Sequence, residues 1–96
     1  MVIQVKGYLT FRKLVPERRM EFPEQGASLR SLLAALVEEI GEPFQAMVFD
    51  ESGGLQRSLA VLINGQHYTH LPAGLDTPLQ DGDQVAIFPP IAGGAS

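Results

Sequence analysis

One amphipathic helix set between alternating segments is the feature that most constrains the fold of this chain. Within residues 29–40, apolar residues recur at the spacing of a single helical stripe. The stripe consists of Leu29, Leu32, Leu33, Leu36, Val37 and Ile40. Ser28 is suited to the N-cap and Gly41 to the C′ position, and Pro43 is predicted to prevent continuation. A helix with one apolar stripe can bury it by lying across a sheet.

Alternation of apolar and polar residues predicts two strands before this helix. Residues 2–11 read as the first strand, with Gly7 interrupting it as a bulge or a close approach. The inward face of this strand is predicted to consist of Ile3, Val5, Leu9 and Phe11. A turn around Pro16 leads to "RRMEF", in which Met20 and Phe22 share one face. The two strands are expected to form a hairpin.

Further strands are predicted after the helix. "LAVLI" at 59–63 has the length and branched content of a buried strand, and Asn64-Gly65 is a strong hairpin signal before "QHYTH". "DGD" at 81–83 predicts a turn into the last strand, "QVAIF". Residues 43–58 are not assigned to one kind of secondary structure, because "FQAMVF" fits a short strand or a helical turn and "DESGGLQ" fits a loop or a hairpin tip.

This order of elements predicts an α+β fold. A ββαββ chain whose first and last strands both lie centrally is a β-grasp, with one main helix packed across a mixed sheet. The length of 96 residues suffices for one small core. We therefore expect a β-grasp domain over residues 1–92 and a flexible tail over residues 93–96.

Composition and charge exclude several classes of function. A formal net charge of −4 opposes binding to nucleic acid and makes a basic protein the natural partner. The absence of cysteine excludes disulfides, thiolate catalysis and cysteine metal sites. The start of the chain lacks the pattern of a signal peptide, and no apolar run has the length of a membrane span, so a cytoplasmic location is expected.

Few residues suggest catalysis. His67 and His70 are the only histidines and lack a third ligand for a metal, so an exposed edge is the more natural place for them. Asp81 and Asp83 are explained by a turn. No phosphate loop, dinucleotide fingerprint or nucleophile elbow occurs. The chain is therefore predicted to be no enzyme and to bind neither a metal nor a cofactor.

The paired glycines near the end suggest a tail that acts inside a partner protein. Gly93 and Gly94 carry no Cβ, so this segment could enter a narrow slot in a partner, although a frayed end would also explain it. Six residues from Ile91 reach at most about 20 Å. Because a carboxylate is a poor acyl donor, a carrier that works through its terminus needs a partner to activate the carboxyl group.

The segment "LDTPLQDGDQVAIFPPIAGG", residues 75–94, resembles the C-terminal signature of the MoaD/ThiS sulfur carriers, which are ubiquitin-like β-grasp proteins. "DGD", a strand, "FPP" and Gly-Gly resemble the small subunit of molybdopterin synthase more than the carrier of the thiamin pathway. "LAVLINGQ" is similar to the family's strand and Asn-Gly hairpin, and "YLTFRKL" and "SLRSLLAAL" fit its first strand and helix.

The resemblance implies a sulfur cycle at the tail. A ubiquitin-activating-type enzyme would use ATP to adenylate Gly94, with Gly93 as its slim neighbour, and sulfur would then displace AMP to give a thiocarboxylate. The large subunit of a molybdopterin synthase, or another sulfur acceptor, would receive that sulfur for a molybdenum or tungsten pterin cofactor. Since Ala95 and Ser96 follow Gly94 here, a JAMM-type zinc metalloprotease is expected to remove them.

Two other functions stay open. The chain could be a ubiquitin-like modifier conjugated to lysines, or a β-grasp interaction module without any chemistry at its tail. The predicted partner-binding residues are Phe88, Pro89, Pro90 and Ile91. Alternation places Val85 and Ile87 toward the helix and Phe88 on the opposite face, where it either anchors a partner or packs under a loop.

Overall fold

A five-stranded mixed sheet with a helix across one face forms the body of the protein. The computed structural model describes residues 1–22, 27–56 and 58–89. The strands are β1 (Val2–Gly7), β2 (Arg18–Glu21), β3 (Ala60–Ile63), β4 (Gln66–His67) and β5 (Gln84–Phe88), and the helices are α1 (Leu29–Ile40) and α2 (Glu42–Val48). Their order in the sheet is β2-β1-β5-β3-β4. The central pair, β1 and β5, is parallel, and the other pairs are antiparallel. The predicted β-grasp is confirmed.

The apolar stripe of α1 forms the core together with the inward faces of the strands. Ser28 caps the helix as predicted, because its hydroxyl accepts a hydrogen bond from the Ser31 backbone N–H at 3.2 Å. The Leu residues of the stripe are buried. Strand residues that meet them are Ile3, Val5, Met20, Val61, Ile63, Val85 and Ile87.

Pro43 lies in the first turn of a second helix instead of ending helical structure. Gly41 has φ +96°, which only glycine adopts without strain, and its N–H donates to the Val37 carbonyl. The chain turns there and enters α2, where Pro43 lies in the first turn, a position that needs no N–H donor. Phe44 and Val48 of α2 are fully buried. The segment 43–58, which the sequence did not assign, is thus helical in its first part.

The segment after α2 is a closed turn. Phe49 and Leu55 form an isolated antiparallel bridge, and Asp50 Oδ1 accepts hydrogen bonds from the Ser52 hydroxyl at 2.6 Å and from the N–H groups of Ser52 and Gly54. The hydroxyl hydrogen bond is the main cause that lowers the pKa of Asp50 below its usual value. The acidic loop therefore closes on its own carboxylate, as in an Asx turn.

The first strand is shorter than its alternation predicts. β1 ends at Gly7, and a 3-10 turn over Leu9–Arg12 follows. A Cβ on Gly7 would lie 2.7 Å from the Phe11 carbonyl oxygen, so the predicted close approach is confirmed. Phe11 is fully buried, but Leu9 is 61% exposed, so its predicted place in the core is wrong. The 3-10 turn breaks the two-residue period on which that prediction depended.

The Asn-Gly hairpin and the "DGD" turn are both confirmed. Asn64 and Gly65 have φ of +51° and +85°, which matches the turn type that Asn-Gly favours between β3 and β4. Asn64 also donates to Asp83 Oδ1 at 3.0 Å and accepts from the Gln84 N–H. Asp81 Oδ1 accepts from the Val2 N–H at 2.6 Å. These bonds fasten the start of β5 to β1 and β3.

Candidate functional site

The chain enters its last segment from the central strand of the sheet. β5 is bonded to β1 on one side and to β3 on the other. The Tyr8 N–H extends this pairing by donating to the Ile87 carbonyl at 2.9 Å. Pro89, the last described residue, is buried. The segment that follows therefore starts from a fixed point, which suits a tail that must be aimed into a partner.

Among the described residues, the face of the sheet opposite α1 is open, and it carries an aromatic pair at this end. The rings of Tyr8 and Phe88 stack with centroids 4.5 Å apart and an interplanar angle of 8°. The Lys6 ammonium lies 5.0 Å from the centroid of the Tyr8 ring. A groove of about 400 Å³ runs between these residues and Leu62 of β3. The tail thus begins beside a surface with apolar and cationic parts.

Phe88 is neither fully exposed as a partner anchor nor fully packed under a loop, the two alternatives that the sequence leaves open. As predicted, Val85 and Ile87 are buried and Phe88 lies on the other face. Its ring is half-buried, and the cover comes from Tyr8 at the start of the β1–β2 connection. A half-buried aromatic ring supported by a second ring is a rigid contact surface, so the anchoring role stays a prediction with a defined geometry.

The other predicted tail residues cannot be placed. Pro90, Ile91, Gly93 and Gly94 lie outside the described residues, as does the predicted boundary at residue 92. The structure brings together only Phe88 and Pro89 of the predicted binding set. Tyr8 was missed by the sequence reasoning, although its place directly after Gly7, at the end of a strand, was a signal that could have singled it out.

The two histidines lie at the far edge of the sheet, near β4. Their rings are 6.1 Å apart, and His67 Nδ1 is engaged by the Thr69 N–H at 3.2 Å. His67 stacks on Tyr68, and His70 is exposed. Within the described ranges, no group of three or more metal-ligating side chains occurs. Local hydrogen bonding and stacking account for this pair.

No helix among the described residues has the length and apolar character needed to cross a membrane. The depression beside α2 is lined by the carboxylates of Glu42, Asp50 and Glu51, and no basic side chain among the described residues lines it. The hydroxyl of Ser52, which also lines it, donates to Asp50 Oδ1. The end of β5 is therefore the candidate site.

Comparisons with known proteins agree with this geometry. The model of the ThiS family matches residues 10–94. The chain is 32% identical over 95 residues to small archaeal modifier protein 3 of Haloferax volcanii, a match that covers 98% of this chain and 100% of that protein.

Solved structures extend the likeness to the whole fold. The crystal structure of small archaeal modifier protein 1 from Haloferax volcanii superposes with a TM-score of 0.79 at 27% identity, over 98% of this chain and 100% of that one. A Pyrococcus furiosus protein assigned as molybdopterin converting factor, subunit 1, gives a TM-score of 0.71 at 32% identity, over 95% of this chain and 99% of that one. This chain belongs to the ThiS family, the ubiquitin-like β-grasp proteins that act as sulfur carriers or protein modifiers.

Proposed function

We propose that this protein is a sulfur carrier that acts through Gly94 in the synthesis of a molybdenum or tungsten pterin cofactor. The observation that carries the proposal is the geometry of β5, which is bonded on both sides and carries the stacked pair of Tyr8 and Phe88 at its end, a few residues before Gly93 in the sequence. The similarity to the Pyrococcus furiosus protein supports the choice of pathway. The carrier itself contributes no catalytic group and binds no cofactor; it works in the cytoplasm.

The proposed chemistry takes place in partner enzymes. A peptidase of the JAMM type first removes Ala95 and Ser96 and frees the Gly94 carboxylate. A carboxylate oxygen then attacks the α-phosphate of ATP in an adenylating enzyme, and pyrophosphate leaves. Hydrosulfide from a sulfur donor attacks the carbonyl carbon of the resulting mixed anhydride, AMP leaves, and the glycine thiocarboxylate remains. The large subunit of a molybdopterin synthase, or another acceptor enzyme, takes the sulfur.

A modifier function is the second candidate, and a specific observation favours it. A relative that matches 98% of this chain at 32% identity is a small archaeal modifier protein. A modifier would pass the same activated glycine to a lysine amine, which forms an isopeptide bond and releases AMP. Lysines in the host proteome that carry the C-terminal Gly93-Gly94 of this protein through an isopeptide bond would establish that function. If the protein were instead a plain interaction module, deletion of residues 93–96 would leave its activity in cells unchanged.

The test of the proposed function is the intact mass of the protein isolated from its native host without a C-terminal tag. We expect a chain that ends at Gly94, with one terminal oxygen replaced by sulfur, because both changes are needed before sulfur can be donated. Fragmentation of the terminal peptide locates them. A chain that still ends in an unmodified Ser96, even after adenylating enzyme, peptidase and sulfur donor are supplied, would contradict the proposal.

Removal of the Phe88 ring is expected to weaken binding to the adenylating enzyme by at least about 10-fold, because aromatic side chains concentrate binding energy at interfaces. The effect of Phe88→Ala on stability should be modest, since the stacked pair contributes about 0.5–1.5 kcal/mol beyond its buried area. Calorimetric binding and thermal denaturation give the two values. Phe22→Ala, at the opposite end of the sheet, is the control. A loss of stability with unchanged affinity would exclude the anchoring role.

A further inference from the structure

Leu9 is held at the surface in a conformation that is unfavourable for a leucine. Its φ is +57°, in the left-handed region that glycine, asparagine and aspartate enter more readily than bulky residues. Its side chain is 61% exposed, and no other large hydrophobic side chain among the described residues is exposed to this degree. Neither the strain nor the exposure serves the core. Strain that a surrounding structure maintains at one residue is a marker of function.

The position of Leu9 ties it to the point where the tail begins. Gly7 pairs with Ile87, and the Tyr8 N–H donates to the Ile87 carbonyl, so the turn that follows lies beside the end of β5. The turn is rigid, because the Gly7 N–H donates to the Val15 carbonyl at 2.8 Å and the Val15 N–H donates to the Phe11 carbonyl at 2.7 Å. Leu9 is therefore presented on a fixed support, one residue after the Tyr8 N–H that bonds to the end of β5.

The charge around Leu9 is opposite to that of the whole protein. Residues 6–19 contain five of the seven Lys and Arg residues but one of the eleven Asp and Glu residues, in a chain of net charge −4. Arg12 and Lys13, in the same turn as Leu9, are exposed. Lys6 lies over the Tyr8 ring on the open face. We call Lys6, Tyr8, Leu9, Arg12 and Lys13 the exit rim.

We propose that the exit rim is the docking surface for the adenylating enzyme, which offers an apolar pocket for Leu9 surrounded by carboxylates. This inference rests on the proposed function and names the partner surface that it requires. The five residues after Pro89 reach Gly94 and span at most about 18 Å, so an enzyme that holds the Gly94 carboxyl must also contact the body near the rim. Sulfur transfer and lysine modification both begin with the adenylate, so this enzyme is needed in either case.

The sign of the charge changes the partner expected from composition. The overall charge of −4 favours a basic partner, but the local surface that meets the enzyme is cationic. Complementary charge at the edge of an interface mainly raises the association rate, and this effect falls as salt is added. An apolar residue at the centre mainly slows dissociation. The exit rim contains both elements in one turn.

The decisive variant is Leu9→Asn in a chain that ends at Gly94. Asparagine tolerates the positive φ, so the melting temperature should stay the same or rise, while the dissociation constant for the adenylating enzyme should rise by at least about 10-fold. Leu9→Gly removes the side chain in another way and should behave alike. Binding is measured by calorimetry, and adenylation by release of pyrophosphate at limiting and saturating carrier. The defect should appear in KM and leave kcat nearly unchanged.

The charge is tested separately with matched reversals. Arg12→Glu should slow association by roughly 5-fold at low salt and lose most of that effect at high salt. Arg30→Glu makes the same change at the start of α1, where Arg30 pairs with Asp76 at 3.0 Å, and should leave association unchanged. Equal effects of the two reversals on the association rate would show that only net charge matters, and they would contradict the proposal that the exit rim is the docking surface.

The outcomes separate this inference from the proposed function. If the unaltered chain is adenylated and Leu9→Asn binds with unchanged affinity, the exit rim is not the docking surface, and the carrier function stands. If the unaltered chain is never adenylated, the proposed function itself fails. A raised dissociation constant with an unchanged or higher melting temperature supports the exit rim.

Discussion

Replacing Phe11 by alanine is expected to lower the free energy of unfolding by about 3–5 kcal/mol, the usual cost of removing a buried phenylalanine ring. Phe11 is fully buried, and its ring meets Phe44 of α2 edge to face at a centroid distance of 6.1 Å. A domain of this size has a total stability of only about 5–15 kcal/mol, so the variant should be close to unfolding.

The effect of Phe11→Ala should extend beyond the core. The Phe11 backbone closes the turn that presents Leu9, through bonds to Tyr8 and Val15. A cavity under this turn would loosen it, so the variant should also bind the adenylating enzyme less well under conditions in which it is folded. Urea denaturation followed by circular dichroism measures the stability.

Phe22→Ala is the matched control for this prediction. It removes the same atoms from a half-buried position beside Met1, and a cost of about 1–2 kcal/mol is expected. If the two alanine variants were equally stable, the connection between β1 and β2 would not be part of the core, contrary to the burial of Phe11.

Moving the end of the chain by one residue away from Gly94 is expected to abolish loading with sulfur. Three chains that end at Gly93, Gly94 and Ala95 place their terminal carboxyl groups about 3.3–3.6 Å apart along an extended segment. Reaction with ATP requires the carboxyl group to be placed much more accurately than that, because a misplacement of about 1 Å can reduce the rate 100-fold. Only the chain that ends at Gly94 should form the adenylate and the thiocarboxylate.

Intact mass after incubation with the adenylating enzyme, ATP and a sulfur donor measures this effect. The three chains share the same β-grasp body, so equal melting temperatures provide the control for folding. A chain with Gly94→Ala as its last residue should also fail, since its Cβ would fill the slot that a glycine leaves open. Loading of the Ala95-ended chain at the rate of the Gly94-ended chain would show that register at the tail does not matter, and would remove the role assigned to Gly94.

Much of the fold was predictable from local patterns. The stripe of α1, its Ser28 cap and the Asn64-Gly65 hairpin were all readable, because each depends on residues that are neighbours in the chain. α2 was not assigned, since it has seven residues and its buried positions, Phe44 and Val48, show a single helical repeat. A repeat of that length cannot be told from a short strand by its period.

The candidate site divides in the same way. The tail and the "FPP" segment were singled out from sequence, as was the outward direction of Phe88, because β5 alternates regularly up to its end. The role of the connection between β1 and β2 was not predicted from the sequence. Its residues continue the alternation of β1 in the sequence, and the 3-10 turn that interrupts it folds Phe11 back against Gly7, a contact that the alternation does not reveal.

The sequence by itself determined the β-grasp order of elements, the caps and turns, and the Gly-Gly segment that is proposed to carry the chemistry. Each of these depends on local periods and on the backbone preferences of single residues. Only the tertiary structure decided that Tyr8 stacks on Phe88 and that Leu9 is exposed beside the end of β5. Those contacts exist because the parallel pairing of β1 with β5 brings together residues about eighty positions apart, which no local pattern specifies.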